Sequence, residues 1–394
     1  NNYSEYQVQG NHSKLFGWMP FARMLFRTVF HLLVLWRTSE GFHIPSYLSA
    51  GGSALTASTA DRMSTTSART IVDQSTLTLL EHININVPSH EHVLPFYYDL
   101  LGCGMDPRKA SNLLPNAPKK TIWANCGASQ FHLPYGSVAQ RIPGHIGLLY
   151  NSLDGLKERL ETHGKICKNF EIGSDNGREF IRLVDHYNNV FYCRQDSLTD
   201  RRAVEEQWMQ PIISPENTEF PPDMVQRFGR DCSECRGIDY VEFLCPVGTA
   251  ERIALFYESV FDATTSVVES RGIPVAVVAL GNVDEHGRAD QSLLFRETSE
   301  PLPPYDGHHV AMYVGESVAD FERAFANAIT AGIVWVNPRF NDQAHDLAGA
   351  RKWKQFRFKN IIDMETGETV FELEHEMRSI DHEAWPGTRV VGEQ

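Results

Sequence analysis

The sequence predicts an α+β fold of four βαβββ modules, because the chain contains an internal repeat. Residues 80–88 (LEHININVP) and 238–246 (IDYVEFLCP) share one pattern, in which an apolar residue, an acid and a ring begin a strand that ends in proline. A helical stretch follows each strand, at 93–102 and at 253–261, and both stretches contain an aligned Phe-Tyr pair. Recurrence of such a unit indicates that the chain repeats one supersecondary structure.

Each repeat is itself double. A second strand is predicted at 144–150, followed by a helix that starts at Leu153 and ends before Gly164. Its counterpart in the other repeat is a strand at 309–314 followed by a helix at 318–331.

The helix at 318–331 has the strongest local signals. Ser317 and Asp320 are spaced as in a capping box, and Phe321, Phe325 and Ile329 form one apolar stripe. The three apolar residues are therefore interpreted as core.

Composition and repeat boundaries divide the chain into five parts. A composition unlike the rest marks 1–70, and the modules form two pairs, 79–195 and 237–377. The charged, proline-containing segment 196–236 reads as a linker, and the polar segment 378–394 as a loose tail.

The bulk composition is that of a globular protein with two cores. The chain has 394 residues, of which 42% are apolar and 22% charged, and its net charge is −14. This charge argues against nucleic acid as a partner. We expect a small-molecule substrate, no membrane association of the mature protein, and a monomer or homodimer.

Seven cysteines are an odd number in a chain too large to need a disulfide scaffold, so we expect mostly reduced thiols. Cys232 and Cys235 are the one close pair. They are interpreted as two thiols in an exposed linker, with a redox switch or a metal clip as the alternatives.

Residues 1–70 are predicted to be a targeting segment. An apolar run at 28–36 is too short to span a bilayer and suits a signal-peptide core, and the Ser/Thr-rich, acid-poor stretch 46–69 has transit-peptide composition. With the Phe-containing stretch 39–45 between them, they resemble the bipartite plastid presequence of diatoms and related algae. Translation from Met63 would instead give a cytosolic protein, and a fusion of 24–70 to a fluorescent protein tests the expectation.

Three histidines lie at the edges of strand-like runs: His82, His132 and His145. Neutral imidazoles that converge are good ligands for zinc, iron, nickel or copper. A single histidine at a strand edge is more often structural, but three in this pattern favour a metal site.

The four-module layout and these histidines resemble the vicinal oxygen chelate superfamily, which includes glyoxalase I, extradiol dioxygenases and fosfomycin-resistance proteins. The resemblance covers 79–377. It implies that two modules pair into a cupped sheet, and that metal ligands come from the first and last strand of each module. The fold it implies is two glyoxalase/dioxygenase-like domains.

In the first pair these ligand positions hold His82, His132, His145 and Tyr192. The resemblance therefore implies one divalent ion (Fe, Zn, Ni or Mn) bound by the three histidines. Tyr192 is expected to act as a fourth ligand or as a proton donor to a metal-bound oxyanion.

In the second pair the matching positions hold Tyr240, Leu294, His309 and Glu372. Since leucine cannot bind metal, Tyr240, His309 and Glu372 form at most a weaker second site. A degenerate domain that stabilises the first, or forms an interface, is the alternative. Glu374 is expected on the same strand face as Glu372.

A three-histidine site leaves a divalent ion its full charge and favours anionic oxygen ligands. We therefore expect a lyase, isomerase or dioxygenase that acts on a small substrate with two adjacent oxygens. The competing hypothesis is a non-catalytic binding protein of the same fold, its pocket lined by aromatic residues. The candidates for that lining are Trp123, Phe131, Tyr150 and Phe191.

Overall fold

The computed structural model describes residues 70–114, 120–175, 177–196 and 233–385. All of them belong to one compact unit that spans 47–394. The predicted targeting segment, Cys232 and nearly all of the predicted linker lie outside the described residues.

The described residues form seventeen strands. Their bounds are β1 (Ile71–Gln74), β2 (Leu77–Asn84), β3 (Gly104–Met105), β4 (Ile122–Cys126), β5 (Ser129–Leu133), β6 (Gly144–Tyr150), β7 (Asn169–Asp175), β8 (Arg178–Val184), β9 (Val190–Gln195), β10 (Cys235–Pro246), β11 (Thr265–Ser270), β12 (Ile273–Asp284), β13 (Ala289–Thr298), β14 (His309–Val314), β15 (Val334–Trp335), β16 (Gln355–Ile362) and β17 (Thr369–Arg378).

Four α-helices and three other helical segments connect these strands. The α-helices are α1 (Asp154–His163), α2 (Ala250–Phe261), α3 (Val318–Thr330) and α4 (Leu347–Trp353). A π-helical segment runs over Leu94–Leu100, and two 3-10 helices run over Pro107–Leu113 and Gly164–Ile166. Within the described ranges, none of the helices has the length and apolar character that a membrane crossing requires.

The strands form two sheets, and each sheet combines two modules. The first, sheet A, has the order β1-β12-β13-β10-β6-β9-β8-β7, with β11 paired to β12. The second, sheet B, has the order β15-β16-β17-β14-β2-β5-β4-β3. Within each module the first strand is parallel to the last, as β2 is to β5 and β14 is to β17. This confirms the predicted α+β fold of four βαβββ modules.

The modules pair in a different order from the one predicted. Strand β2 of the first module pairs with β14 of the fourth, and β6 of the second pairs with β10 of the third, both antiparallel. The prediction that 79–195 and 237–377 each form one cupped sheet is therefore wrong. The repeat identifies the modules but not their partners, because the open backbone edge of a first strand can pair with any other first strand.

The hydrophobic contacts nevertheless join modules that are neighbours in sequence. In the N-terminal half, the ring of Phe131 on β5 lies 6.0 Å from that of Phe191 on β9, and Tyr97 packs against both. In the C-terminal half, Phe295 on β13 lies 5.5 Å from Phe371 on β17. The hydrophobic core thus contains residues from both sheets, and it holds the sheets together where their backbones do not pair.

Several local predictions are confirmed and one is wrong. Strands β6 and β14 have the predicted bounds. Helix α3 begins with the capping box of Ser317 and Asp320, and both Phe321 and Phe325 are buried. Ile329, predicted to be core, is 47% exposed, because the buried face of α3 consists of Phe321, Ala324, Phe325 and Ala328.

The linker and tail boundaries also need correction. Cys235, expected in an exposed linker, is buried at the start of β10 and forms a disulfide with Cys126 on β4. The four other described cysteines are free and buried, as expected of reduced thiols. The predicted loose tail begins too early, because Arg378 ends β17 and is buried in ion pairs, and the ring of Trp385 packs against Tyr313.

Candidate metal centre

The pairing of β2 with β14 brings two distant histidines together. In this antiparallel register His82 lies opposite Ala311, and His309 lies opposite Asn84. The two imidazoles are therefore diagonal neighbours, and their Nε2 atoms are 3.5 Å apart. Both residues are at most 2% exposed.

Strand β17 supplies a carboxylate to the same place. Glu376 lies beside Ala311 in the parallel pairing of β14 and β17, and its Oε2 atom is 3.8 Å from Nε2 of His309. One ligand atom from each of His82, His309 and Glu376 lies within 4.8 Å of the other two. Metal–nitrogen bonds of about 2.0–2.1 Å at tetrahedral angles place neighbouring ligand atoms roughly 3.4 Å apart. The donor set therefore fits a transition metal.

His132 lies next to this cluster. Its ring stacks on that of His82 at a centroid distance of 3.7 Å, and on that of Trp123 at 4.3 Å. Because β5 runs parallel to β2, with His132 opposite Asn84, the register brings the rings of His82 and His132 together.

A buried hydrogen-bond network orients His132. Gln130 Nε2 donates to Asp106 Oδ2 at 2.6 Å and to Asn125 Oδ1 at 2.7 Å. Since the Asp106 carboxylate only accepts, Gln130 must direct its amide nitrogen there and its oxygen towards His132, whose Nε2 lies 3.1 Å away. The His132 Nε2 atom therefore carries the proton, which leaves the lone pair on Nδ1.

The electrostatic environment favours neutral imidazoles and an ionised carboxylate. Burial lowers the pKa of His132 well below its usual range, and repulsion by His82 and Arg378 lowers it further. Burial and the Arg357 guanidinium do the same to the pKa of His309. Burial opposes ionisation of Glu376, but Arg357 and Arg378 outweigh it and hold the Glu376 pKa well below its usual range.

Carboxyl groups outnumber guanidinium groups around the cluster. Arg378 pairs with Glu81 and Glu376. Arg357 pairs with Glu376, and also with Glu374 at 2.8 Å and Asp342 at 2.9 Å. A divalent cation would offset this excess of negative charge, and burial of such an excess without compensation is costly.

Glu81 also faces the outer side of His82. Its carboxylate lies 3.6 Å from the Nδ1 atom of His82, which is buried and has no hydrogen-bond partner. Burial acts to raise the pKa of Glu81, but the charge of Arg378 and the contact with His82 lower it to about 2. An ionised carboxylate behind a ligating histidine is a common way to orient the ring and strengthen its metal bond.

The cluster lines a cavity of about 230 Å³. Trp123 and His132 form one wall, Phe340 lies on another, and Lys109 and Arg357 contribute cationic groups. A volume below the usual 300–1,000 Å³ of pockets for drug-sized ligands suits a small molecule.

The structure divides the predicted trio of histidines. His145 lies on β6 in sheet A, where its Nδ1 atom is 3.1 Å from the carboxylate of Glu242. The ring of Tyr192, predicted to assist the metal, is 4.8 Å from that of His145 and belongs to the same sheet. His82 and His132 are therefore joined by His309 and Glu376, not by His145 and Tyr192.

The second predicted site is divided in the same way. Tyr240 lies in sheet A beside His145, whereas His309 lies in sheet B. Glu372 is half-exposed and paired with Lys359 at 2.8 Å. Glu376, four residues further along the same face of β17, is the residue that reaches the cluster.

Among the described residues, sheet A contains the corresponding cup without a metal cluster. In sheet B, His82 lies opposite Ala311, and Ala311 lies opposite Glu376. In sheet A, His145 lies opposite Glu242, and Glu242 lies opposite Leu294. Leu294 thus occupies the position of Glu376.

Tyr240 fills part of this second cup, and its ring lies so close to Gly147 that an added Cβ would be 2.3 Å from it. Within the described ranges, the cluster of His82, His309 and Glu376 is the one group that could hold a metal.

Sequence reasoning missed Glu376, Gln130, Arg357 and Arg378. The alternation Glu372, Glu374, Glu376, Arg378 places all four on one strand face. That pattern was a signal for a polar strand in the cup, but it does not say which of the three glutamates contacts His309.

The strand order is that of the vicinal oxygen chelate superfamily, in which βαβββ modules pair into cupped sheets, and this chain has that fold. Similar solved structures include a provisionally assigned dioxygenase from Bacillus subtilis (13% identity, 79% of this chain and 86% of that one, TM-score 0.44). Glyoxalase I from Zea mays (13%, 76% and 92%, TM-score 0.42) covers both halves as well.

A fosfomycin resistance protein from Mesorhizobium loti (20% identity, TM-score 0.24) covers 32% of this chain and 96% of its own. At these identities the likeness concerns the fold alone. No protein-family model and no curated protein matches the chain.

Proposed function

We propose that this protein is a metal-dependent enzyme of the vicinal oxygen chelate fold, acting on a small substrate with two adjacent oxygens. The convergence of His82, His309 and Glu376 in one cavity carries the proposal. Two histidines and one carboxylate leave open coordination positions, as in many iron(II) oxygenases, and the set also suits zinc, nickel or manganese. The reaction class is a lyase, isomerase or dioxygenase.

A divalent ion bound here would supply Lewis-acid polarisation of the two substrate oxygens. The residues of the chain have separate roles in this proposal. His82, His309 and Glu376 would hold the ion, and Glu81 would orient His82 from behind. His132 lines the same cavity, where its lone pair on Nδ1 would be available as a further ligand or as an acceptor for a substrate proton.

The direct test is the metal content of the purified protein and of alanine variants. We expect about one ion per chain, lost in His82→Ala and in His309→Ala and reduced in His132→Ala. His145→Ala is a matched control, since that histidine also lies at a strand edge but in sheet A, and it should retain the ion. Full metal content in both His82→Ala and His309→Ala, with the fold intact by circular dichroism, would overturn the proposal.

A second candidate function is a metal-free binding protein of the same fold. One observation favours it, because both oxygens of Glu376 already accept hydrogen bonds from Arg357 and Arg378. Of the aromatic residues expected to line its pocket, Trp123 does, whereas Phe131, Tyr150 and Phe191 are fully buried in the core. Absence of metal from the wild-type protein, together with tight binding of a small ligand, would support this second function.

A further inference from the structure

The cationic groups of the cavity differ in how they are paired. Arg357 contacts three carboxylates, and Arg378 contacts two. Their charges are therefore already compensated by the protein. Among the described residues that line the cavity, Lys109 is the one cation without a carboxylate partner.

Lys109 is placed by an aromatic residue. Its Nζ atom lies 4.6 Å from the centre of the Trp123 ring, which stacks on His132, which in turn stacks on His82. A column of three rings thus connects the metal ligand His82 to the ammonium group. His82 and Lys109 both line the cavity, so a ligand bound there would reach the metal with one end and Lys109 with the other.

A second aromatic residue, Phe340, lines the cavity. The guanidinium of Arg357 lies 4.3 Å from the centre of the Phe340 ring, and this ring also contacts His309. Protein groups thus contact the rings of both Trp123 and Phe340, and the cavity volume of about 230 Å³ limits the ligand to a small molecule.

We propose, on the basis of the function proposed above, that the substrate is a small anion. Its two adjacent oxygens face His82, His309 and Glu376, and a separate carboxylate or similar anionic group pairs with Lys109. Lys109 is then the residue that selects charged over neutral substrates. An ammonium partly shielded by protein gives a charged hydrogen bond that strengthens binding about tenfold or more.

Hydroxamates test this inference, because they present two adjacent oxygens to a metal. The probes are 3- and 4-carboxybenzohydroxamate and the corresponding carboxamides, which have the same shape but no second charge. Calorimetric titration of the zinc-loaded protein should give at least tenfold tighter binding of one carboxylate than of its carboxamide. Lys109→Gln should abolish this preference without weakening the carboxamide, and Lys109→Arg should keep most of it.

Lys352→Gln is the matched control, since Lys352 forms an exposed cation–π contact with Trp353 at 4.7 Å and does not line the cavity. It should behave as wild type. Equal binding of carboxylate and carboxamide to wild type, or an unchanged preference in Lys109→Gln, would overturn the inference while leaving the metal site intact. If none of the four probes binds the zinc-loaded protein, or if zinc itself does not bind, the proposed function fails and this inference fails with it.

Discussion

Replacement of Arg378 by methionine tests whether the buried ion pairs hold the first and fourth modules together. The Arg378 side chain is 10% exposed, and its guanidinium pairs with Glu81 on β2 and with Glu376 on β17. Methionine preserves much of the apolar contact but leaves two buried carboxylates without one of their cations. Removal of one partner of a buried pair typically costs about 3–5 kcal/mol, a large part of the roughly 5–15 kcal/mol that stabilises a typical domain.

The measurement is the free energy of unfolding in urea, on metal-free protein so that ligand binding does not contribute. Arg351→Met is the matched control, because Arg351 forms a similar two-pronged ion pair with Glu322 but is 57% exposed. That variant should lose far less stability than Arg378→Met, because water and salt screen an exposed ion pair. Adding Glu81→Gln to Arg378→Met should recover part of the loss, since it removes one of the orphaned charges. Equal destabilisation by Arg378→Met and Arg351→Met would refute the reasoning.

Three further predictions concern single contacts. Gln130→Leu removes the acceptor that fixes the proton of His132 on Nε2, so long-range ¹H–¹⁵N NMR spectra should change from the Nε2–H pattern to a mixture of both tautomers. Metal affinity should fall about 10–100-fold. An Nδ1–H pattern in the wild-type protein would contradict this. Gly147→Ala should destabilise by about 1–3 kcal/mol through its clash with Tyr240, measured by urea unfolding, and an unchanged midpoint would count against the packing described. Burial acts to raise the pKa of Glu242, but the contacts with His145 and Arg296 lower it more strongly. The contribution of Glu242 to stability is therefore complete above the ordinary pKa of 4.5 and is lost as the pH falls below that value. Glu242→Gln should make the free energy of unfolding depend less on pH in this acid range.

The parts of the site that lie within one module could be predicted. His82 and His132 are on strands of the same module, so the repeat and the family resemblance sufficed to place both at ligand positions. The error at Glu372 arose along a single strand, β17, where alternation identifies the face but allows shifts of two or four residues. Of the eight ligand positions predicted from the resemblance, all except Glu372 lie at corresponding points of the two sheets.

The parts that depend on how the modules pair could not be predicted. The site contains His309 in place of the predicted His145 because β2 pairs with β14 and not with β6. Each module presents a similar first strand, and hydrogen bonding along a strand edge does not depend on the side chains. No residue pattern within a module therefore specifies its partner.

The sequence by itself determined the modules, their strands and helices, and the two histidines of the first module, because alternation, capping and repetition are local properties of the chain. Only the tertiary structure decided that the candidate metal centre belongs to the first and fourth modules, and that Glu376, Arg357 and Arg378 complete it. These residues are more than two hundred positions from His82, and they reach it because the first and last modules share one sheet.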